Sequence, residues 1–524
     1  MKNNRPQVII PMSGIGRRFV EQGYKDPKPL IKVDDNPMIK HVMGIFPESD
    51  DVVFICNNEH LENTNMRNVL LDTHPHGKIV GIEKHKKGPV YAVLKAEKLI
   101  DDDKPVIVSY CDYGTEWDYE LFLKFIRESK CHGAVPCYIG FHPHMLGTDH
   151  YAYVRTDDKT ALEIREKQPF TNNKMSEYAS NGTYYFSSGK ILKQYFKRCI
   201  EDNNHVNGEF YVSMVYNQMI KDGLSVKVFE IDKMLQWGTP YDLRIYQQWM
   251  NYFDNLKSSP LVPAPAPEGT TLLLPMAGKG SRFESEGFKD PKPFIDTDGK
   301  PMFMRSLEDL PSCKNVVLGV LKEHIDTKSY KERITNFLNQ STVVEIPEVT
   351  QGQACTVEIM LQEANIDLEK PIIISACDNG MYYDQEKFQE QLNDEENDVV
   401  VCSFRNNETS KNNPNMYAWL DVDKHGLIKH VSCKNFIYDD PLTTHAIIGT
   451  MFFRKAKYFL DGLQKNYDEN IRTNNEFYVD DVLNQNIKSG LKVKVFEAKN
   501  YICWGTPNDY KTYNYWKEHH ECKK

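Results

Sequence analysis

The sequence predicts an α/β protein in which one fold occurs twice, each copy a mixed, mainly parallel sheet flanked by helices. Short apolar strands alternate with helical segments along both halves, which is the order expected of parallel strands joined by helices. A phrase near the start, Pro11–Phe19, returns as Pro275–Phe283. A repeat with so long a period indicates two whole domains rather than a solenoid.

Each half opens with a short apolar strand that leads into a glycine-containing loop. Further apolar runs without polar alternation predict strands buried on both faces. Strands are expected at 8–10, 51–56, 105–109 and 133–138, and again at 272–274, 315–321, 371–375 and 398–402, with helices between them, for example at 90–99 and 122–129. Open α/β sheets bind ligands at the carboxyl ends of their strands, so functional side chains are expected there.

Five motifs recur in the same order in the two halves. The copies lie 264 residues apart at Pro11 and Pro275, 266 apart at Asp112 and Asp378, and 267 apart at three later motifs. These later motifs begin at Gly182 and Gly449, at Glu209 and Glu476, and at Trp237 and Trp504. Four prolines in 258–269 predict a semi-rigid linker. We therefore expect domain 1 at 1–257 and domain 2 at 270–524.

Composition and charge exclude several classes of protein. A hydrophobic fraction of 40% and a charged fraction of 26% are ordinary for a soluble globular protein. The net charge of −10 argues against an extended nucleic-acid surface. No apolar run resembles a signal peptide or a membrane span. The twelve scattered cysteines include no Cys-x-x-Cys pair and indicate reduced thiols, so we expect a cytoplasmic protein.

The glycine loops suit close contact with a phosphate group. Glycine lets the backbone approach an anion and offer its N–H groups, and a following arginine can hold two phosphate oxygens. The residues are Gly14, Gly16 and Arg18 in the first half and Gly278, Gly280 and Arg282 in the second. A lone Gly-x-Gly after a strand can be a simple tight turn. Because the loop occurs twice with its arginine, we predict a phosphate loop in each half.

A lysine between two prolines follows each glycine loop. The prolines flanking Lys28 and Lys292 fix the backbone and so orient the lysine in advance. Such a lysine is usually a solvated charge when it stands alone. Next to a phosphate loop, it is predicted to neutralise a triphosphate as pyrophosphate leaves.

One aspartate follows a buried strand in each half. Asp112 and Asp378 occur in Ser-Tyr-Cys-Asp and Ser-Ala-Cys-Asp. A single aspartate at this place could equally be a helix cap or a turn residue. Its repetition at the carboxyl end of a strand favours a ligand of Mg²⁺, which prefers oxygen donors and substrate phosphates.

Taken in order, these motifs resemble those of the sugar-1-phosphate nucleotidyltransferases, the nucleotide-sugar pyrophosphorylases. The resemblance covers both halves, and its form is similar to the branch found in bacterial capsule and surface-polysaccharide pathways. It implies a GT-A-like, Rossmann-like nucleotidyltransferase fold in each half. It also implies Mg²⁺-dependent nucleotidyl transfer from an NTP to a sugar-1-phosphate or related small phosphorylated acceptor, with release of pyrophosphate. No nucleic-acid or membrane partner is implied, and homo-oligomerisation is left open.

The resemblance assigns roles to individual residues. The catalytic set is Arg18, Lys28, Asp112 and Lys167, with Arg282, Lys292, Asp378 and Lys434 in the second half, and the two aspartates hold the metal. The nucleotide-binding set is Gly14, Gly16, Gly88, Gly278, Gly280, Gln351, Gly352 and Gln353. The acceptor-binding set is Glu166, Asn181, Gly182 and Gly449.

The second half departs from this pattern on the acceptor side. Cys433 replaces Glu166, and Ile448 replaces Asn181. The second half is therefore expected to bind an NTP but to use a less hydroxylated acceptor, or none. At the segment that contacts the base, Thr350–Ala354 fits the family better than Lys86–Val90 does.

A second metal aspartate is also missing from both halves. Its place in the family is held here by Gln236 and Cys503. Mg²⁺ is therefore expected to have one carboxylate ligand in each half together with substrate oxygens.

Two other functions remain alternatives. One half could be a nucleotide-binding regulatory or structural domain while the other is catalytic. A glycosyltransferase with the same sheet is less favoured, because that chemistry usually requires Asp-x-Asp at the metal, and Asp112 and Asp378 lack the second aspartate. The base of the NTP, the acceptor and the division of labour between the halves are not determined by the sequence.

Overall fold

The computed structural model describes residues 5–49, 51–337 and 341–523. Internal contacts divide the chain into two compact units, Met1–Gln247 and Gln248–Lys524, called unit 1 and unit 2 below. The division falls within the helix Pro240–Ser258. The expected domain boundaries at 257 and 270 stay a prediction.

Unit 1 contains strands and helices in alternation. Its strands are β1 Gln7–Met12, β2 Lys32–Val33, β3 Asn36–Pro37, β4 Val52–Asn57, β5 Lys78–Ile82, β6 Val106–Ser109, β7 Tyr113–Glu116, β8 Gly133–Tyr138, β9 Ala152–Asp157, β10 Thr160–Glu166, β11 Tyr178–Ser180, β12 Thr183–Phe186, β13 Val226–Glu230 and β14 Lys233–Gln236. Its helices are α1 Arg17–Glu21, α2 Met38–Gly44, α3 Asn58–Asn63, α4 Met66–Thr73, α5 Gly88–Lys95, α6 Tyr119–Ser129, α7 Gly189–Glu201, α8 Val212–Lys221 and α9 Pro240–Ser258, whose last residues belong to unit 2.

Ten of these strands form one sheet in the order β11-β9-β10-β13-β8-β12-β6-β1-β4-β5. The half containing β6, β1, β4 and β5 is parallel. On the other half β12 runs antiparallel to both β6 and β8, and β9, β10 and β11 pair antiparallel. The sheet is thus mixed rather than mainly parallel. The difference arises in hairpin segments such as β9–β10, which no crossover helix separates.

Alternate residues of the central strands point to opposite faces of this sheet. Val8 and Ile10 belong to one apolar cluster, whereas Ile9 belongs to the other. Every residue of β4 is buried. Burial on both faces explains the unbroken apolar runs of the sequence. The predicted strands at 8–10, 51–56, 105–109 and 133–138 all lie at observed strands to within two residues at each end.

Unit 2 has its own series of elements. Its strands are β15 Thr271–Met276, β16 Asp296–Thr297, β17 Lys300–Pro301, β18 Asn315–Leu321, β19 Thr342–Ile346, β20 Ile372–Ile374, β21 Asn379–Tyr382, β22 Val399–Phe404, β23 Ala418–Val422, β24 Ile428–Cys433, β25 His445–Phe453, β26 Val493–Glu497 and β27 Asn500–Cys503. Its further helices are α10 Ser281–Ser285, α11 Met302–Leu307, α12 Lys322–Asp326, α13 Lys328–Phe337, α14 Gln353–Glu363, α15 Gln385–Asn393, α16 Ala456–Asp468, α17 Val479–Lys488 and α18 Pro507–Cys522.

The main sheet of unit 2 has the path β19-β18-β15-β20-β25-β22-β26, with β23 and β24 attached to β25. Strands β19, β18, β15 and β20 are parallel, and β25 is antiparallel to both β20 and β22. Two apolar clusters contain alternate residues of β15, with Leu273 on one side and Leu272 and Leu274 on the other. Within the described ranges, no helix of either unit is both long and apolar enough to cross a membrane.

Candidate active site

The glycine loop of unit 1 joins β1 to α1 and lies against the Pro-Lys-Pro segment. Gly16 has φ 66°, and a Cβ placed there would lie 3.3 Å from Cβ of Lys28. A side chain at Gly16 would be strained both by the left-handed backbone and by this contact. Gly14 meets no atom within 4 Å of a placed Cβ, so packing does not require glycine there.

Lys28 and Asp112 form an ion pair at the base of this loop. The Lys28 ammonium donates to Oδ2 of Asp112, and Asp112 follows the buried strand β6. A Cβ on Gly238 would lie 2.9 Å from that Oδ2 and 3.1 Å from Oε1 of Gln236. Because glycine has no side chain, Gly238 allows the Gln236–Thr239 turn to pack directly against Asp112.

Asp242 is a second acidic group beside this pair, and sequence reasoning missed it. The Thr239 hydroxyl donates to Asp242 Oδ2 at 2.5 Å, and the Asp242 N–H donates back to the hydroxyl at 3.1 Å. Burial raises the pKa of Asp242 to about 6, against the opposing hydrogen bond from Thr239 and the charges of Arg18 and Lys28. The signal was available in the sequence, because Gly-Thr-Pro-x-Asp occurs in both halves.

Glu166 and Lys167 lie at the end of β10, on the predicted acceptor side. Ser213 of α8 donates to Glu166 Oε2 at 2.6 Å, and Lys167 Nζ donates to the Tyr211 hydroxyl at 2.5 Å. Burial raises the pKa of Glu166, although the Ser213 hydrogen bond and the charge of Lys167 oppose the shift. Tyr211 in turn donates to Glu209, so the repeated Glu-Phe-Tyr-Val motif positions the Lys167 side chain.

Three further predicted residues, Gly88, Asn181 and Gly182, line the site. Gly88 has φ 81°, and a Cβ there would lie 2.7 Å from the backbone nitrogen of Phe210. Asn181 donates to Thr115 at 2.9 Å and accepts from the Thr183 N–H at 2.9 Å. Gly182 has φ 99° and packs against the ring of Tyr110.

All ten first-half residues predicted for the site line one cavity of about 500 Å³. They are Gly14, Gly16, Arg18, Lys28, Gly88, Asp112, Glu166, Lys167, Asn181 and Gly182. The cavity wall also includes side chains that sequence reasoning did not select, among them His85, His150, Tyr211, Gln236 and Asp242. The basic glycine-loop residues and the Glu166–Lys167 pair therefore face a common space.

Unit 2 repeats the geometry of the glycine loop and of the lysine–aspartate pair. Gly280 has φ 63°, with a placed Cβ 3.1 Å from Cβ of Lys292, and Lys292 Nζ donates to Asp378 Oδ2 at 2.6 Å. Burial alone would raise the pKa of Asp378, but the charge and hydrogen bond of Lys292 and the charge of Arg282 hold it below its usual range. Gly278, like Gly14, has no steric neighbour.

The other second-half predictions are placed as follows. Gly352 has φ 136° and would clash with the backbone of Phe477, and Gln351 accepts from Arg472 at 2.9 Å. Gln353 begins α14, and Gly449 lies in β25 with φ 98°. Lys434 follows β24, where its ammonium donates to the carbonyl of Met416 and lies 5.7 Å from the ring centre of Tyr478.

The donor atoms near Asp112 suit a hard cation. The Asp112 carboxylate and the Gln236 amide oxygen both approach Gly238, and oxygen donors are those that Mg²⁺ selects. In unit 2, Asp378 has the thiol of Cys503 as its neighbour near Gly505, and that thiol donates to Oδ2 of Asp509 at 3.4 Å. Among the described residues, no group of three or more His, Cys, Asp or Glu side chains could enclose a metal by itself.

Residues 7–233 match the sequence model of the nucleotidyl transferase family. The matched segment lies within unit 1 and is less than half of the chain. It includes the glycine loop, Lys28, Asp112 and the Glu166–Lys167 pair, and it ends just before Gln236 and Asp242.

Curated relatives match over the same part of the chain. The Bifunctional protein GlmU of Alkaliphilus metalliredigens is 26% identical over 232 residues, which are 43% of this chain and 47% of the relative. The Bifunctional protein GlmU of Buchnera aphidicola is 24% identical over 228 residues, which are 43% of this chain and 46% of the relative. The chain thus spans about half the length of the curated relatives it matches.

Two solved structures are also similar. The nucleoside-diphosphate-sugar pyrophosphorylase of Vibrio cholerae has 18% identity and a TM-score of 0.39, over 46% of this chain and 98% of that chain. The inositol-1-phosphate CTP transferase of T. maritima has 19% identity and a TM-score of 0.37, over 47% of this chain and 95% of that chain.

Proposed function

We propose that unit 1 transfers a nucleotidyl group from an NTP to a sugar-1-phosphate or related small phosphorylated acceptor. A phosphate oxygen of the acceptor attacks the α-phosphorus, the bond to the β-phosphate oxygen breaks, and pyrophosphate leaves. The observation that carries the proposal is the single cavity faced by the Arg18–Lys28 group and by the Glu166–Lys167 pair. Such a reaction requires two phosphorylated substrates side by side.

Positioning and charge neutralisation supply most of the catalysis in phosphoryl-group chemistry. The Arg18 guanidinium and the Lys28 ammonium would neutralise the triphosphate and the departing pyrophosphate. Lys167 would hold the acceptor phosphate, and Glu166 would accept hydrogen bonds from acceptor hydroxyls. The glycine loop leaves room for the triphosphate at Gly14, because among the described residues other than its chain neighbours no atom lies within 4 Å of a Cβ placed there.

Mg²⁺ is the proposed cofactor. Asp112 would hold it in unit 1, with Gln236 as a neutral oxygen neighbour, and Asp378 would hold it in unit 2. The cation would neutralise phosphate charge during the transfer. The match of residues 7–233 to the nucleotidyl transferase family supports this proposal.

Unit 2 is proposed to be a second copy of the same domain that arose by tandem duplication. The repeated motifs, the Lys292–Asp378 ion pair and the left-handed Gly280 support a nucleotide site there. The alternative is that one unit is catalytic and the other serves as a nucleotide-binding regulatory or structural domain. The proposed domain boundaries remain 1–257 and 270–524, joined by 258–269.

We propose that the product is a nucleotide-activated precursor that is used to build a capsule or surface polysaccharide. The form of the glycine-loop motif supports this assignment. All twelve cysteines are free thiols, which is in keeping with the proposed cytoplasmic location.

The test is a panel of NTPs and phosphorylated acceptors scored by pyrophosphate release on the full chain. Release is expected only when Mg²⁺, an NTP and an acceptor are all present. Asp112→Asn should lower the unit 1 rate by about 10²-fold or more, because a preorganised charged group is lost at the reacting phosphates. Asp72→Asn, which removes an exposed carboxylate on α4, is the matched control. Transfer of a sugar from a nucleotide sugar, or product without pyrophosphate, would contradict the proposal.

A further inference from the structure

The strand before the acceptor position is clamped to the following helix in the same way in both units. In unit 1, Asn217 of α8 accepts from the Ile164 N–H and donates to the Ile164 carbonyl, both at 2.8 Å. In unit 2, Asn484 of α17 accepts from the Val431 N–H at 2.9 Å and donates to its carbonyl at 2.8 Å. Both asparagines and both strand residues are 267 apart, so the strand and helix share one register.

This register makes Ser213 of unit 1 equivalent to Asp480 of unit 2, and Glu166 equivalent to Cys433. In unit 1 the helix supplies the donor, and Ser213 donates to the Glu166 carboxylate at 2.6 Å. In unit 2 the helix supplies the carboxylate, and the Cys433 thiol donates to Asp480 Oδ2 at 3.9 Å. The hydrogen-bond donor and the carboxylate have therefore exchanged places between the strand and the helix. The sequence comparison of position 433 alone therefore missed a carboxylate that unit 2 retains.

Asp480 also has the surroundings of a substrate-facing group. Ser213 is fully buried, whereas Asp480 is half-buried, so part of the Asp480 residue is accessible to a ligand. Lys434, the counterpart of Lys167, lies beside the Tyr478 ring, as Lys167 lies beside Tyr211. A thiol is a weak donor, so its contact leaves most of the acceptor capacity of the Asp480 carboxylate unused.

Electrostatics keep the two partners of this pair distinct. Burial, Asp480 and Asp481 hold the pKa of the Cys433 thiol well above its ordinary value, so the thiol stays neutral. Burial raises the pKa of Asp480 to about 6, while the charge of Lys434 opposes the shift. Above that pH the group is an ionised acceptor beside a cationic lysine.

We propose that Asp480 is the acceptor-binding carboxylate of unit 2, and that unit 2 uses a hydroxyl-bearing phosphorylated acceptor. The inference rests on the proposed nucleotidyl transfer. Because the carboxylate comes from α17 rather than from the strand, and aspartate is one methylene shorter than glutamate, the recognised hydroxyl lies closer to the helix. Unit 2 should therefore select a different acceptor from unit 1 rather than a less hydroxylated one.

The experiment uses the full chain with unit 1 silenced by Asp112→Asn and Glu166→Ala together. Pyrophosphate release is measured with each NTP and a set of aldose 1-phosphates, their 2-deoxy analogues and inositol 1-phosphate. On the acceptor that the silenced chain uses, Asp480→Asn should raise the acceptor KM by about 10- to 100-fold, because a neutral amide accepts from the acceptor hydroxyl more weakly than a carboxylate does. The KM for the NTP should not change. Asp480→Glu, which keeps a carboxylate on the helix, should recover most of the acceptor binding. Cys433→Glu/Asp480→Ser moves the carboxylate to the strand, as in unit 1, and should shift the acceptor preference toward that of unit 1.

Asp481→Asn is the matched control, because the adjacent carboxylate accepts from Thr473 at 2.9 Å instead. It should leave the acceptor KM unchanged, and thermal unfolding of each variant reports its folding. An unchanged acceptor KM in Asp480→Asn, or a silenced chain without product while the wild type is active, would overturn the assignment of Asp480 and leave unit 1 as the enzyme. A wild-type chain that releases no pyrophosphate with any pair would refute the proposed function and this inference with it.

Discussion

Lys28 donates a hydrogen bond to Oδ2 of Asp112, and the two side chains are 19% and 24% exposed. The carboxylate that we propose as the metal ligand is therefore already paired with a lysine. A triphosphate entering with its cation would draw the ammonium toward phosphate oxygens and free the carboxylate. Lys292 and Asp378 have the same relationship in unit 2, at 2.6 Å.

Replacing Lys28 with methionine should lower kcat/KM for the NTP by about 10²- to 10³-fold, because a cation at the departing pyrophosphate is lost. Methionine keeps an unbranched apolar side chain at this position, where the Lys28 ammonium lies 5.8 Å from the ring centre of Phe19. Lys25→Met is the control, since Lys25 lies in the same loop and is exposed. Steady-state kinetics on an NTP series would measure the effect, and equal kcat/KM values for the two variants would exclude Lys28 from triphosphate binding.

The two glycines of the loop should respond to alanine in opposite ways. Gly16→Ala should destabilise unit 1 by about 1–2 kcal/mol, because alanine is strained at positive φ and its Cβ approaches Lys28. Gly14→Ala has neither problem and should leave the unfolding transition within about 0.5 kcal/mol of the wild type.

Although Gly14→Ala should not affect stability, it should affect NTP binding. If phosphate oxygens approach the backbone there, the added methyl group should weaken NTP binding by an order of magnitude or more, despite normal stability. Thermal unfolding and NTP titration on the same preparations separate the two effects. A Gly14→Ala variant with unchanged NTP affinity would place the triphosphate elsewhere.

The main strands and the glycine loop could be predicted from the sequence because their signals are local. The unbroken apolar runs of β1 and β4 reflect burial on both faces, and the glycines reflect backbone conformation within a few residues. The antiparallel pairing of β12 with β6 and β8 could not be predicted, because it depends on long-range register. The same limit applies to the site, where a turn far along the chain brings Asp242 near enough to Asp112 for their charges to interact.

Stability should depend on pH through Asp242. Its pKa is about 6 in the folded protein, against an ordinary value near 4 in the unfolded chain. The folded state therefore holds the proton more tightly, and stability falls as the pH rises from about 4 to about 6. The loss should approach roughly 3 kcal/mol and then level off above pH 6.

Asp242→Asn should abolish this dependence, because asparagine resembles the protonated acid and its oxygen still accepts from Thr239. The variant should be more stable than the wild type above pH 6 and equal to it near pH 4. Thermal unfolding between pH 4 and 8 measures the difference. A constant offset between the two proteins across this range would show that Asp242 titrates normally.

Glu166→Gln should raise the KM for the acceptor by about 10- to 100-fold, because a carboxylate that accepts from acceptor hydroxyls is replaced by a weaker acceptor. The KM for the NTP should stay the same. Glu163→Gln is the control, since Glu163 lies on the same strand and pairs with Arg155 at 2.7 Å and Arg165 at 2.8 Å.

Removing the supporting donor should shift the pH dependence of acceptor binding. Burial already raises the pKa of Glu166, and the Ser213 hydrogen bond opposes that shift. Ser213→Ala should therefore raise the pKa further, so that the ionised carboxylate forms only at higher pH. As the pH is lowered, the acceptor KM of Ser213→Ala should begin to rise at a higher pH than that of the wild type. In Glu166→Gln the acceptor KM should not rise on acidification. Acceptor KM measured across pH 5 to 8 distinguishes these profiles. If the Ser213→Ala profile matched the wild type, the Ser213–Glu166 hydrogen bond would have no part in acceptor recognition.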